Sequence, residues 1–236
     1  MASNCTVRET LVALNVTATA CDAPVRDRSR EFANISNILG VISALFVVQR
    51  FAYKLWAKVE LGLDDWVTLL ALVSGVPNTV LNATGIVQNG MGRDVWTLQP
   101  STITNFNYYF FIQEIIYFLE VAMLKLSLLF FYARIFTSRT VQRMLWTTVG
   151  VCVVFGITFA LVSVFQCAPV HYFWTMWDGE HHGKCLDINA IAWSNASISI
   201  ALDIWMLAVP LWQLGILNLD WRKKAGVGVM FCVGTL

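Results

Sequence analysis

The sequence predicts an all-α protein, a bundle of helices that crosses a membrane several times. Three observations lead to this fold class. Only 13% of the 236 residues are charged, whereas soluble domains carry about 25%. Hydrophobic residues make up 57% of the chain, and they come in long blocks. Short polar, basic or glycine-containing connections separate these blocks, which is typical of a polytopic membrane protein.

Five apolar blocks are long enough to cross a bilayer, which takes roughly 20 helical residues. We predict spans near 32–53, 66–88, 108–132, 144–166 and 189–213. A further apolar block, 225–236, has 12 residues, and we expect it to be the start of a sixth span. Residues 1–30 then form a polar tail, and residues 31–236 form the transmembrane domain.

The distribution of basic residues predicts the orientation. They cluster in the loops after spans one, three and five: Lys54, Lys58, Arg134, Arg139, Arg143, Arg222, Lys223 and Lys224. The loops after spans two and four hold only Arg93 and Lys184. Cytoplasmic loops are enriched in lysine and arginine, so the three basic loops are expected in the cytoplasm and the N-terminus outside. We expect the membrane to be the plasma membrane. Arg26, Arg28 and Arg30 argue for the reverse orientation, and we give the later loops more weight.

Sequons and cysteines agree with that orientation. Asn4 and Asn15 lie in N-glycosylation sequons of the tail, and such sites are used only on the luminal or extracellular face. Disulfides also persist on that face. We therefore predict bonds within two cysteine pairs, Cys5 with Cys21 and Cys167 with Cys185.

Span three, within "QEIIYFLEVAMLKLSLLFFYARIF", carries ionisable side chains at bilayer depth. Drawn as a helix, its polar residues share an arc of about 160°; they are Gln113, Glu114, Tyr117, Glu120, Lys125, Ser127 and Tyr132. The opposite arc is expected to face lipid and holds Ile115, Leu119, Ala122, Met123, Leu126 and Phe130. Charged side chains inside a membrane usually face the bundle interior, so the polar arc should face other helices. Such side chains also often mark functional positions.

Each ionisable side chain of span three needs its own partner. Glu120 and Lys125 point about 140° apart and cannot pair well with each other. Asp203 of span five lies at nearly the same depth as Lys125. We therefore consider an ion pair between the two helices as a hypothesis. The alternative is that Asp203 binds water or backbone groups instead. Glu120 is either a neutral side chain hydrogen-bonded to a neighbouring helix or part of a proton-linked switch. Asn78 of span two is a candidate member of the same polar network.

Other polar positions have ordinary explanations. Asp64 or Asp65 fits the start of span two as a helix cap. The loop 167–185 contains three histidines, but adjacent histidines point apart, and a solvated loop is favoured over a metal site. We find no nucleophile triad and no phosphate-binding glycine loop, so we expect no enzyme activity and no cofactor. A net charge of +1 does not favour nucleic-acid binding.

Several motifs together resemble the fungal rhodopsin-domain family of seven-helix, receptor-like membrane proteins. They are "LGLDDW", "GMGRDVWTL", "LKLSLLFFYARIF", the cysteine loop, and "ALDIWMLAVPLWQL" followed by "WRKKAGVGVMF". The tail resembles the end of a CFEM domain, a fungal extracellular module. With five spans and part of a sixth, the sequence is expected to be a truncated form of that seven-helix fold.

The resemblance implies a receptor similar to G-protein-coupled receptors. The expected partners are the lipid bilayer, a small extracellular ligand and a G-protein-type protein in the cytoplasm. Arg134, at the inner end of span three, is the candidate signalling residue, although a basic residue at that boundary also fits the positive-inside rule alone. The alternative is a proton-linked transporter or channel that uses Glu120, Lys125 and Asp203.

Overall fold

The structure, a computed structural model, describes residues 5–216. Three parts of the sequence-based predictions lie outside these residues. They are the sequon at Asn4, the partial span 225–236, and the basic group Arg222, Lys223 and Lys224.

The described chain is an all-α bundle, as predicted, with seven helices and one pair of two-residue strands. The helices are α1 (Val7–Ala20), α2 (Ser29–Trp56), α3 (Leu63–Val80), α4 (Pro100–Ile135), α5 (Arg139–Val164), α6 (Tyr172–Thr175) and α7 (Ile188–Ile216). Strands β1 (Cys167–Ala168) and β2 (Lys184–Cys185) pair antiparallel. Among the described residues, five helices are long and apolar enough to cross a membrane, and they correspond to the five predicted spans.

One side of the bundle carries the tail and two long connections. This side, called the tail side below, holds residues 5–28, 87–99 and 165–187. The segments interlock there: the Arg28 amide donates to the Gly92 carbonyl at 2.9 Å, and Arg93 lies 3.3 Å from Asp27. Gly92 has φ +79° and its Cβ would meet the Arg28 backbone at 3.0 Å, so only glycine fits. The opposite side holds the short connections 57–62 and 136–138.

Helix α4 is the centre of the bundle and packs between α3 and α5. Gly85, next to α3, lies so close to α4 that an added Cβ would meet the Tyr109 ring at 2.6 Å. On α5, a Cβ added to Gly156 would meet Ala122 Cβ at 2.5 Å. The predicted lipid face of this span is therefore wrong at Ala122, which is buried against α5. Helical packing in membranes uses small and apolar residues, which a lipid-facing surface also uses.

Helix α4 also begins earlier than predicted. The apolar pattern suggested a start near 108, but the helix begins at Pro100, directly after the extended residue Gln99. Proline is favoured in the first turn, where its missing N–H leaves no hydrogen bond unmade. The polar first turns extend on the tail side, where Trp177 donates to Thr104 Oγ1 at 3.0 Å. The prediction from apolar residues found the membrane-embedded part of this helix but not its polar N-terminal turns.

Helix α3 changes its winding after Pro77. The α-helix continues to Val80, and a π-helical turn follows over Leu81–Ile86. The Val87 amide donates to the Asn82 carbonyl at 2.9 Å, which is the wider π-type spacing. Such a turn rotates the side chains that follow it and is frequent at functional sites.

A buried apolar cluster holds α7 against α4 and α5. It contains Leu129 and Tyr132 of α4, Leu145 and Cys152 of α5, and Met206 of α7. Trp205 of α7 adds a hydrogen bond to Thr148 Oγ1 of α5 at 3.0 Å. These contacts lie on the half of the bundle nearer the opposite side, so α7 is anchored there.

Candidate functional site

The ionisable side chains of α4 are each bound by a different neighbour. Gln166, just after α5, donates to the Glu114 carboxylate at 2.9 Å. Asn78 of α3 donates to Glu120 Oε2 at 2.8 Å. Asn78 therefore belongs to the polar network, as the sequence suggested. The Asn78 contact also corresponds to the simpler of the two interpretations of Glu120, a carboxyl hydrogen-bonded to a neighbouring helix.

Lys125 is buried and crosses to α7. Its Nζ donates to Asp203 Oδ1 and to the Ser199 carbonyl at 3.3 Å. The contact agrees with the depth argument made from the two spans. Lys125 is therefore bound on the α7 side of α4, whereas Glu120 is bound on the α3 side.

A cleft of about 580 Å³ opens between α3, α4 and α7. Phe32, Met91 and Ile188 line one end, and all three lie close to tail-side segments, so we call it the tail-side cleft. Its polar lining comes from all three helices: Asn78, Asn82, Gln113, Glu114, Asn195 and Ser199. Tyr117, placed on the polar arc by the sequence, also lines the cleft.

Amide oxygens on facing walls of this cleft have no hydrogen-bond partner. Asn82 and Asn195 are 7% and 6% exposed, and the Oδ1 atoms of Asn78, Asn82 and Asn195 are all buried and unpaired. The amide nitrogens of Asn78 and Asn82 are already used, by Glu120 and by Ser36. A buried acceptor without a partner costs roughly 1–3 kcal/mol. The cleft therefore favours a ligand, or water, that brings hydrogen-bond donors.

Among residues 5–216, the most strongly charged site lies on the opposite side, at the start of α3. Asp64 and Asp65 are only 1% and 0% exposed. Arg50 of α2 donates to Asp64 at 2.5 Å and to Asp65 at 3.0 Å, and Lys54 donates to Asp65 at 2.6 Å. Burying two adjacent carboxylates is costly unless cations compensate, and α2 supplies two of them.

Arg134, the predicted signalling residue, is the third cation of this group. It lies 3.6 Å from Asp64 and 3.8 Å from Asp65, and it donates to the Glu60 carbonyl at 2.8 Å. We call Arg50, Lys54, Asp64, Asp65 and Arg134 the acidic-pair cluster. The cluster joins α2, α3 and α4 at the side opposite the tail.

The sequence-based interpretation of the aspartates was incomplete. Asp65 does cap the helix, since its carboxylate accepts from the Gly62 amide at 2.9 Å. Asp64, however, is held by arginine and lysine rather than acting as a cap. The missed signal was a pair of cations four residues apart at the end of α2, Arg50 and Lys54, preceding a pair of acids. Residues four apart share one helix face, so both could reach the same partner.

The predicted cysteine pairs have different outcomes. Cys167 and Cys185 form a disulfide that closes the loop over the tail side. Cys5 and Cys21 are both free and exposed, so that predicted bond is wrong. Helix α1 lies between them, and at 1.5 Å per residue it holds the two cysteines about 20 Å or more apart. Asn15, the sequon residue, lies on α1 and is exposed.

Helix α1 is fixed to the disulfide loop by Arg8. The guanidinium donates to Asp178 at 3.0 Å and lies 5.9 Å from the Trp177 ring centroid. Burial alone would raise the pKa of Asp178, but hydrogen bonds from His181, the Glu180 amide and Arg8 outweigh it and lower the pKa. Asp178 is therefore a carboxylate at neutral pH and connects the tail to the loop.

Comparison with known proteins supports the family resemblance. Residues 49–236 match the fungal rhodopsin domain. A protein of Emericella nidulans named as a SAT4 family membrane protein is 26% identical over 62% of this chain and 38% of its own length. Satratoxin biosynthesis SC1 cluster protein 4 of Stachybotrys chartarum is 30% identical over 50% of this chain and 44% of its own length.

A third relative, fugralins biosynthesis cluster protein 2 of Gibberella zeae, is 26% identical over 60% of this chain and 36% of its own length. The chain thus spans less than half the length of these three relatives. No solved structure matches the chain.

Proposed function

The chain belongs to the fungal rhodopsin domain family, and from this membership we propose that it is a receptor-like protein of the plasma membrane. In this proposal the tail side faces outwards and the tail-side cleft takes a small extracellular ligand. The observation that carries the proposal is that three asparagines lining the cleft, Asn78, Asn82 and Asn195, each have a buried amide oxygen without a hydrogen-bond partner.

The cleft suggests the chemistry of the ligand. Its walls are mainly apolar, with Ile86, Phe110, Phe118 and Ile200 among them. A lipophilic molecule with two or more hydroxyl or N–H donors would satisfy the amide oxygens on both walls. Two relatives are named for biosynthesis clusters, which supports a small natural product of this type as the ligand.

Helix α7 offers a route from ligand to cytoplasm. Its outer half lines the cleft through Asn195 and Ser199, whereas its inner half is anchored by Lys125 and by the buried cluster around Met206. A ligand that binds α3 and α7 at once favours the position of α7 in which both helices contact the ligand. The resulting tilt of α7 would change the surface offered to a cytoplasmic partner, for which a G-protein α subunit is the candidate.

Thiol labelling of the full chain in intact cells tests the direction of the cleft. In a Cys5→Ser/Cys21→Ser background, Ser199→Cys places a thiol in the cleft, and Val154→Cys places one on the exposed face of α5. A membrane-impermeant maleimide added outside should label Ser199→Cys and leave Val154→Cys unlabelled. Labelling of Ser199→Cys only after permeabilisation would contradict an outward-facing cleft.

Association with a G-protein α subunit tests the receptor role. The full chain is purified from fungal membranes, and co-purification of the α subunit is measured for Arg134→Ala and Arg139→Ala. Arg139 is an exposed arginine near the same side and has no ion pair with the described residues, so it is a matched control. Loss of association with Arg134→Ala alone supports the proposal, and no association of the unmodified chain contradicts it.

Proton-linked transport remains the alternative function. It would need Glu120, Lys125 and Asp203 to exchange protons, yet no hydrogen bond joins Glu120 to Lys125 among residues 5–216, and they bind on different sides of α4. Proteoliposomes loaded with a pH-sensitive dye provide the test. Proton flux that disappears with Glu120→Gln would favour transport over the receptor role.

A further inference from the structure

A second cleft, separate from the tail-side cleft, lies between α2, α3 and the middle of α4. This open cleft has a volume of about 500 Å³. Small residues of α2 and α3 form much of its wall, including Gly40, Ala44, Ala71 and Gly75. These positions keep the two helices from filling the space between them. We call it the α2–α3 cleft.

Glu120 gives this apolar cleft a single acidic group. Among the described residues that line the cleft, it is the one with an ionisable side chain. Its Oε2 is held by Asn78, while Oε1 lies beside Gly75, buried and without a hydrogen-bond partner. The hydrogen bond from Asn78 therefore fixes the carboxyl at the wall of the cleft.

No cation in the described part of the chain compensates Glu120. Lys125 is the nearest basic residue in the sequence of α4, and it is bound to Asp203 on the other side. The arginines and lysine of the acidic-pair cluster are bound to Asp64 and Asp65. An unpaired acid inside a membrane is costly, and such residues generally serve a ligand or a partner.

We propose that the α2–α3 cleft binds a lipophilic amine that enters from the bilayer and pairs its nitrogen with the Glu120 carboxyl. The apolar walls take the hydrocarbon part, and the carboxyl attracts the nitrogen strongly because the surroundings have a low dielectric constant. An amine and a carboxyl group form a hydrogen-bonded pair whichever of the two carries the shared proton. The site does not depend on the receptor role, since it lies in a different cleft.

Saturation binding of tritiated N,N-dimethyldodecylamine to the full chain in nanodiscs tests this proposal. Empty nanodiscs provide the background from partitioning into lipid. We expect saturable binding of about one amine per protein. The neutral isostere 2-methyltetradecane, in which carbon replaces nitrogen, should not compete at the same concentration. An absence of saturable binding would overturn the proposal.

Three variants localise the amine. Glu120→Gln can still accept the Asn78 hydrogen bond but removes the acid, and it should weaken binding at least ~10-fold. Ala44→Phe narrows the α2–α3 cleft and should also weaken binding, whereas Asn195→Ala alters only the tail-side cleft and should leave it unchanged. Thermal melting checks that each variant is folded.

Equal affinity in Glu120→Gln, with normal melting, would mean that the amine does not use the carboxyl and would overturn the proposal. Unchanged affinity in Ala44→Phe, or a loss confined to Asn195→Ala, would place the amine elsewhere and would also overturn it. If Glu120→Gln fails to fold, competition by the neutral isostere decides, because equal competition shows that nitrogen is not recognised.

Discussion

Lys125 on α4 contacts Asp203 on α7 across the bundle, and the same ammonium group donates to the Ser199 carbonyl. Lys125 is 6% exposed, and the Asp203 side chain is 50% exposed. The pair therefore contributes both to the attachment of α7 and to the neutralisation of a buried cation.

Removing one member of this pair should destabilise the protein more than exchanging both. We expect Lys125→Ala or Asp203→Ala alone to lower the free energy of unfolding by about 2 kcal/mol. This is below the 3–5 kcal/mol of a fully buried pair, because Asp203 is half exposed. Lys125→Asp/Asp203→Lys should recover most of the loss. Thermal melting in detergent measures all four proteins.

The doubly exchanged protein is the decisive comparison. If the doubly exchanged protein is no more stable than the single variants, Lys125 and Asp203 do not act as a pair. If the doubly exchanged protein recovers its stability and its proton flux is unchanged, the pair has a structural role. A loss of flux in stable single variants would favour the transport alternative.

Asp65 and Arg134 belong to the same cluster but should differ in their contribution to stability. Asp65 is buried and binds Arg50, Lys54 and the Gly62 amide. Asp65→Asn leaves two cations with one carboxylate fewer, and we expect a loss of about 3 kcal/mol or more. Arg134 is 40% exposed and its carboxylate distances exceed 3.5 Å, so Arg134→Gln should cost about 1 kcal/mol.

Urea unfolding of the two variants in mixed micelles compares these contributions. We expect Asp65→Asn to be the least stable protein and the unmodified protein the most stable, with Arg134→Gln between them. A variant Arg134→Gln that melts normally and still loses its cytoplasmic partner would separate signalling from folding. The reverse order of stability would contradict the assignment of Asp65 as the centre of the cluster.

Sequence patterns predicted the spans and the Lys125–Asp203 contact because both follow from helix geometry. A polar group at a known depth has few partners available at that depth. The acidic-pair cluster was not predicted, because aspartates at the start of a helix are already explained by capping. Only the packing of α2 beside α3 shows that Arg50 and Lys54 reach them.

Two further errors have physical causes. Ala122 was assigned to lipid because the residues that face lipid and those that face another transmembrane helix are chemically alike. Cys5 and Cys21 were paired because both lie in a tail that was expected outside, where disulfides persist. The capping box of Thr6 and Glu9 is the signal for α1 that was overlooked.

Contact between α4 and α5 makes Gly156 intolerant of even one methyl group. A Cβ at Gly156 would lie 2.5 Å from Ala122 Cβ, so Gly156→Ala should cost about 1–3 kcal/mol through overpacking. Gly150 lies on the same helix with nothing within 4 Å. Gly150→Ala should therefore be neutral or stabilising by up to about 1 kcal/mol, because alanine favours helix. Melting temperatures of both variants provide the comparison.

A compensating change tests the mechanism of that loss. Ala122→Gly removes the methyl group that would collide, so Ala122→Gly/Gly156→Ala should be more stable than Gly156→Ala alone. Equal stability of the double and single variants would show that the Ala122 contact is not the cause.

Attachment of α1 to the disulfide loop should depend on pH through Asp178. The pKa of this carboxyl is lowered in the folded protein from its ordinary value of 3.8. A lowered pKa means that the ionised group stabilises the folded arrangement at pH values above 3.8, and that this contribution is lost as the pH falls through the lower, folded value. We therefore expect α1 to stay attached at pH 7 and pH 5, and to detach only at pH values below 3.8.

Pulsed EPR distances between labels on Cys21 and an introduced His182→Cys measure this attachment, in a Cys5→Ser background. A narrow distance distribution at pH 7 and pH 5 should broaden only below pH 3.8. Asp178→Asn should already be broad at pH 7, because Arg8 then loses its buried carboxylate. Glu180→Gln is the matched control: Glu180 is an exposed acid 3.7 Å from Arg8, and such pairs contribute little. A narrow distribution in Asp178→Asn at pH 7 would show that Asp178 does not hold α1.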